Sequence, residues 1–215
     1  EQITVVYPGV EARFQPQQDP AALHQVRQRY GLGDKPFVLG VGTLEPRKNW
    51  PALIRAWTLM RQESKLPHRL VIAGGPGWLA EGIFQAARES PLAHDILFTG
   101  FVADADLPAL YAAAELFAFP SRYEGFGIPV IEAMACGTPV VCADNSSLVE
   151  AAGDAARLVP AHDEQGLAAA LQSLIEKSAL RGRMTQAGLA HASRFTWPAA
   201  AATLWRSYQQ VYHAP

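Results

Sequence analysis

The sequence predicts an α/β domain built on a doubly wound, Rossmann-like parallel sheet, and three observations carry that expectation. Short apolar runs alternate with stretches of helical periodicity through most of the 215 residues, the pattern of successive βα units. The runs are continuously apolar rather than alternating, as strands covered on both faces must be. Polar or Gly-rich turns follow several of them, and in such sheets the ligand crevice lies beyond the carboxyl ends of the strands.

The elements follow in order. Ile3 to Tyr7 reads as a strand-like run stopped by Pro8 and Gly9. A helix comes next, with Asp19 as cap, Pro20 in its first turn, Leu23, Val26 and Tyr30 as apolar stripe and Gly31 as stop. Strands are expected at 37–42, 70–73, 96–99, 116–119, 139–142 and 156–159, and helices between them at 51–63, 79–89, 107–114 and 128–135. Beyond residue 160 the pattern is helical, first through Leu167, Leu171, Leu174 and Ile175, then to about Ala192, then after Trp197 and Pro198. Trp197, Trp205 and Tyr208 are the residues expected to anchor that last helix. No internal repeat or low-complexity linker interrupts the series, so one domain accounts for it.

Composition narrows the possibilities. With 49% hydrophobic and 18% charged residues the chain can bury a core, and 18 basic against 20 acidic residues leave a net charge of -2. Such a balance provides no field to hold nucleic acid or anionic lipid, so a bound anion must be held locally. Cys136 and Cys142 are in neither metal-ligand nor redox spacing, which predicts buried free thiols in a reducing compartment. No apolar stretch reaches the roughly 20 residues that span a bilayer, so neither a membrane helix nor a signal peptide is expected. The opening at Glu1 reads as a piece cut from something longer.

Three loops could carry chemistry. The first lies in SRYEGFGIPVIEAMACGTPVVC, where an apolar strand enters a turn with Gly125 and Gly127 before a helix near Ile128. Unpaired amides at Gly127 and its neighbours, aided by the helix dipole, suit phosphate oxygens. Glu124 and Glu132, with seven residues between them, are acceptors suited to sugar hydroxyls. On spacing alone, Glu124 could equally be a solvated loop charge and Glu132 a complement to the helix start. The second loop is GTLEPRKN, from Gly42 to Asn49, where Arg47 and Lys48 could neutralise a diphosphate or simply be exposed basic residues of a polar turn. The third, AGGPG at 73–77, lacks the spacing of a dinucleotide fingerprint and reads as a tight turn.

Asp104-Ala105-Asp106 has a metal-binding form, but it directly precedes a helix pattern, and capping is the preferred reading. The six histidines show no zinc spacing, and the nucleophile elbow and P-loop are absent.

The run RYEGFGIPVIEAMACGTPVV, with Glu124 and Glu132 in an E-x7-E arrangement, closely resembles the signature of retaining family-4 glycosyltransferases of the two-lobed GT-B fold. GVEARFQP, VGTLEPRKN, LVIAGGPG, the GFV segment and SRFTW stand in the same order as in that family, so the resemblance covers nearly the whole chain. It implies a carboxyl-terminal, sugar-nucleotide-binding lobe: residues 1–18 as an interlobe junction, 19–194 as the donor domain, and 195–215 as a helix packing toward a missing amino-terminal lobe. Lys48 and Arg47 would contact the donor diphosphate, and Glu124 with the backbone at Phe126, Gly127 and Ile128 would hold the transferred sugar and phosphate. Glu132 would accept from the ribose, and the chain near Phe101 and Val102 would meet the base, with Gly42 and Thr43 beside the donor. Thr43 stands where many relatives carry arginine, and Arg47 is the candidate to compensate. The GTLEPRKN variant resembles bacterial mannosyltransferase branches, which implies a GDP-linked hexose in preference to a UDP-linked one.

The resemblance therefore implies metal-independent, retaining transfer to a glycan or lipid-linked acceptor in polysaccharide biosynthesis, with no cofactor and no nucleic-acid partner. The isolated lobe is expected to be inactive. A cytoplasmic location is expected, with peripheral contact at the inner face of the membrane left open. A nucleotide-sugar-binding module or a GT-B epimerase without transferase activity is the alternative, and a dehydrogenase-like domain fits less well.

Overall fold

A computed structural model of the chain describes residues 3–212. Six parallel strands make one sheet: β1 Phe37–Val41, β2 Arg69–Ala73, β3 Ile96–Gly100, β4 Leu116–Phe119, β5 Val140–Ala143 and β6 Arg157–Val159. Their order across the sheet is β3-β2-β1-β4-β5-β6. The chain winds outward from β1 through β2 to β3, returns to lay β4 against β1, and winds outward again. The register Val38↔Leu116 and Leu39↔Phe117 marks the seam where the winding reverses. Crevices open beyond the carboxyl ends of strands at such a reversal.

The helices are α1 Pro20–Arg29, α2 Trp50–Ser64, α3 Glu81–Glu89, α4 Leu107–Ala113, α5 Ile128–Ala135, α6 Leu148–Ala152, α7 Glu164–Glu176, α8 Ser178–Ala192 and α9 Trp197–Tyr212. Continuous apolarity in the strands matches burial on both faces: β4 and β5 are buried at every residue. The core gathers at the seam, where Phe117 stacks on Phe119 at 5.7 Å and Trp50 meets Phe119 edge-on at 6.5 Å. Asp19 caps α1 as expected, its carboxylate accepting from the Ala21 amide at 3.0 Å. Cys136 and Cys142 are buried free thiols, each pushed up to about 12 chiefly by burial.

Four expectations are corrected. The described residues of the Ile3 to Tyr7 run form no strand; no sheet edge lies beside them, and Ile3 and Val5 remain exposed. Trp197, Trp205 and Tyr208 do not anchor α9, being 55%, 63% and 61% exposed, because that helix offers its apolar side chains to no layer of this domain. Asp106 occupies the cap position of α4 without a capping bond; its carboxylate instead accepts from Arg29 and from the Tyr30 hydroxyl, both at 2.7 Å, tying α1 to the start of α4. Finally, α3 begins at Glu81, because Leu79 adopts φ 53° and breaks the helical path. The short α6 carried too few turns to register as a periodic pattern.

Candidate functional site

The site is built from the loops that leave β1 and β4, which the strand order makes neighbours. After β1, the chain turns at Gly42 and runs through a single 3-10 turn, Pro46–Lys48, into α2. This loop is splinted by the 73–77 turn: the Gly42 amide donates to the Ala73 carbonyl at 2.8 Å, Leu44 to Gly75 at 2.9 Å, and Gly77 back to Leu44 at 3.0 Å. A Cβ on Gly74 would lie 2.1 Å from the Gly42 carbonyl oxygen, so only glycine permits that approach. The AGGPG segment thus does more than turn the chain: it forms one wall of the site.

Beyond the ends of β1, β2 and β3 these loops enclose a cavity of about 200 Å³ lined by Gly42, Thr43, Gly75, Phe101, Val102 and Asp104, among others. Three sequence candidates, Gly42, Thr43 and Val102, therefore share one wall. Phe101, part of this lining, is exposed.

On the β4 side, Glu124 is drawn onto the cations of the first loop. Lys48 Nζ donates to Glu124 Oε1 at 2.7 Å, and an Arg47 guanidinium nitrogen stands 2.6 Å from Glu124 Oε2. The other Arg47 nitrogen donates to Glu45 Oε1 at 2.6 Å. Lys48 also lies over the Phe119 ring at 4.6 Å. Both Lys48 and Glu124 are 8% exposed, so Glu124 is no solvated loop charge and Lys48 no idle surface cation. Burial pushes the Glu124 carboxyl up, but its hydrogen bonds to Lys48, Ser121 and Arg47 pull in the opposite direction and leave it below the usual carboxylate range.

Backbone bonds hold the two loops in place. The Arg122 amide donates to the Arg47 carbonyl at 2.8 Å, and Asn49 Nδ2 donates to Pro120 and Ala161 carbonyls at 3.2 and 2.8 Å. Ser146 Oγ accepts from the Glu124 amide and Ser147 Oγ donates to the Glu124 carbonyl, at 3.2 and 2.8 Å. Asn49, Ser146 and Ser147 were missed in the sequence reading. The run Asp144-Asn145-Ser146-Ser147 after an apolar strand was the signal available.

Gly127 opens α5 at φ 102°, and a Cβ there would stand 2.6 Å from Leu148 Cδ2. Its neighbours Phe126 and Ile128 are half-buried, and α5 begins four residues after Glu124 in the chain. Glu132, one turn into α5, is not part of that cluster. It accepts from the Tyr111 hydroxyl at 2.9 Å, and burial raises its carboxyl above the usual range despite that bond. The two glutamates of the E-x7-E block therefore sit in opposite electrostatic settings, Glu124 paired with cations and Glu132 half-buried beside a phenol. Neither bland reading of them survives: Glu124 is paired, and Glu132 lies past the first turn of its helix. Among the described residues no three His, Cys, Asp or Glu side chains gather into a metal-holding group.

A six-stranded parallel sheet whose winding reverses between β1 and β4, with helices packed against it, defines a Rossmann-like class of domain. Residues 24–191 match the family model for "Glycosyl transferases group 1", and the chain belongs to that family. It is 39% identical over 178 residues to O-antigen chain mannosyltransferase B of Escherichia coli, covering 83% of this chain and 47% of that protein. It is 34% identical over 191 residues to a GDP-mannose-dependent alpha-(1-6)-phosphatidylinositol monomannoside mannosyltransferase of Mycolicibacterium smegmatis, covering 84% of this chain and 49% of that one. The fold matches GT-B glycosyltransferase structures, and it superposes on the Anabaena HepE crystal structure with UDP-glucose at a TM-score of 0.82 and 23% identity, over 98% of this chain and 57% of that chain. The chain thus spans about half the length of these relatives. No helix among the described residues is long and apolar enough to cross a membrane.

Proposed function

We propose that this chain is the donor-binding lobe of a retaining glycosyltransferase, holding a GDP-linked hexose of the mannose type for transfer to a glycan or lipid-linked acceptor. One observation carries the reading: Arg47, Lys48 and Glu124 meet at the sheet reversal beside the cavity lined by Gly42, Thr43 and Val102. The M. smegmatis relative is GDP-mannose-dependent by name, and the E. coli relative is a mannosyltransferase by name. The base would lie against Val102 and Phe101, the ribose within reach of Glu132, and the diphosphate over Lys48, Arg47 and the backbone from Phe126 to Ile128.

Transfer loads negative charge onto the departing diphosphate while the anomeric carbon becomes oxocarbenium-like. Preorganised cations and helix-start amides supply the stabilisation, and such donors contribute about 3–4 kcal/mol each where they have been removed singly. Arg47 takes the role of the arginine that relatives place at position 43. In this reading metal is not required, and the leaving phosphate acts as base on the retained face. The exposed face of α9 is where an amino-terminal lobe would seat, and without that lobe the chain binds the donor but does not turn it over.

Calorimetric titration with GDP, GDP-mannose, UDP, UDP-glucose and NAD tests the assignment. Binding of the guanine pair in the micromolar to millimolar range, about 4–8 kcal/mol, is expected. Lys48→Ala and Glu132→Ala should each weaken it by about 1.5–3 kcal/mol, the usual contribution of a hydrogen bond to a charged group. Preference for the uridine pair would redirect the donor, and binding of NAD alone would overturn the class.

A further inference from the structure

The two cations bonded to Glu124 are matched by two carboxylates. Arg47 and Lys48 bring two positive charges, while Glu45 and Glu124 bring two negative ones, all in direct contact. Two of the cations at the surface that would receive a diphosphate are therefore already neutralised, and Arg122, bonded to Asn49 beside them, is a further cation there. Glu124 is fixed there: its carboxylate is buried, each oxygen already binds a different cation, and Ser146 and Ser147 hold its backbone on both sides. Lys48, Arg47 and the Ser121 hydroxyl engage three of the carboxylate's about four lone-pair sites, which leaves one to accept from a further hydroxyl.

We propose that Glu124 is a built-in counter-ion that makes the site favour a nucleotide sugar over the free nucleoside diphosphate left after transfer. This rests on the donor-lobe reading. A sugar on the terminal phosphate removes one ionisable oxygen and places hydroxyls where Glu124 can accept from them. A free diphosphate presents instead a terminal phosphate that gains further charge with a second pKa near 6, against a carboxylate that cannot leave. Like charges juxtaposed in a partly desolvated site repel strongly, and the product is the ligand that meets this repulsion. Glu45 neutralises Arg47 from the opposite side and contributes charge balance without this discrimination.

The test compares dissociation constants of the 215-residue chain for GDP, GDP-mannose and the β-methyl ester of GDP, in wild type, Glu124→Gln and Glu45→Gln. In wild type the methyl ester, which has lost the extra charge without gaining a sugar, is expected to bind several-fold more tightly than GDP. Glu124→Gln should tighten GDP and weaken GDP-mannose, shifting their ratio on the order of tenfold, equivalent to about 1.4 kcal/mol. Glu45→Gln should move both ligands together and leave the ratio unchanged. The proposal is overturned if wild type binds GDP as tightly as its methyl ester, a measurement that needs no variant to fold. It also fails if Glu124→Gln leaves the ratio unaltered, or if Glu45→Gln shifts it equally. Wild type that binds none of the three guanine ligands and neither UDP nor UDP-glucose would instead sink the donor-lobe reading, and this proposal with it.

Discussion

Glu132 illustrates how a single side chain holds a cost that folding alone does not explain. Burial raises its carboxyl above the ordinary 4.5, while the Tyr111 hydroxyl offsets only part of that. Its native state therefore binds a proton more tightly than the unfolded chain does. Stability from this group is present at low pH and falls as pH rises from 4.5 through the raised native value. Glu132→Gln keeps an acceptor for Tyr111 and removes the charge, so it should raise unfolding free energy at pH 7 and flatten the pH dependence above 4.5. The same variant should bind nucleotide less well if Glu132 serves the ribose. Urea unfolding at pH 5 and pH 7 checks the first statement, and equal destabilisation at both would contradict it. Glu124 stands on the other side of this ledger, because its cation partners more than offset its burial.

At the scale of elements, the turn from β4 into α5 shows backbone geometry selecting residue type. Gly125 and Gly127 lie two residues apart in one loop, yet only Gly127 has a positive φ and a neighbour, Leu148, within clashing distance. Gly127→Ala should destabilise the fold by about 1–3 kcal/mol, the range for a non-glycine residue forced into such backbone. It should also weaken diphosphate binding, because the α5 start must shift away from α6. Gly125→Ala meets nothing within 4 Å and should fall within about 0.5 kcal/mol of wild type. Denaturant titration of the two variants side by side measures the contrast; equal losses would mean that the loop yields freely. The aromatic group Tyr7, Phe126 and Phe195, with centroids 5.6 to 5.8 Å apart, packs the segments flanking the domain against this same loop.

Across the whole molecule, interior and surface divide sharply. Both cysteines belong to the interior, Cys136 at the end of α5 and Cys142 in β5, with thiols pushed up to about 12. Thiolate is the reactive form, so neither should react with DTNB at pH 8 while the chain is folded. Both should react after denaturation, and rapid labelling of the native protein would show that α5 opens locally. The surface departs from an ordinary monomer at α9, where Trp197, Leu204, Trp205 and Tyr208 are exposed together.

The sequence by itself determined the succession of strands and helices, because continuous apolar runs and 3.6-residue periodicity are local signals. It also identified the loops bearing Arg47, Lys48 and Glu124 and the helix bearing Glu132, since Gly-rich turns before helix starts are written in adjacent residues. Tertiary structure alone decided which of these groups meet. Lys48 and Glu124 are 76 residues apart in the chain and touch only because β4 inserts beside β1. That order is set by burying both faces of the sheet, and no local pattern encodes it. The pairing then follows from electrostatics, since a carboxylate excluded from water must find cations, whereas Glu132, on the next helix, found a phenol. The partial exposure of α9 is expected from the resemblance, which sets that helix toward a missing lobe, and the structure bears it out; periodicity alone shows only that a helix has an apolar face, not whether anything covers it.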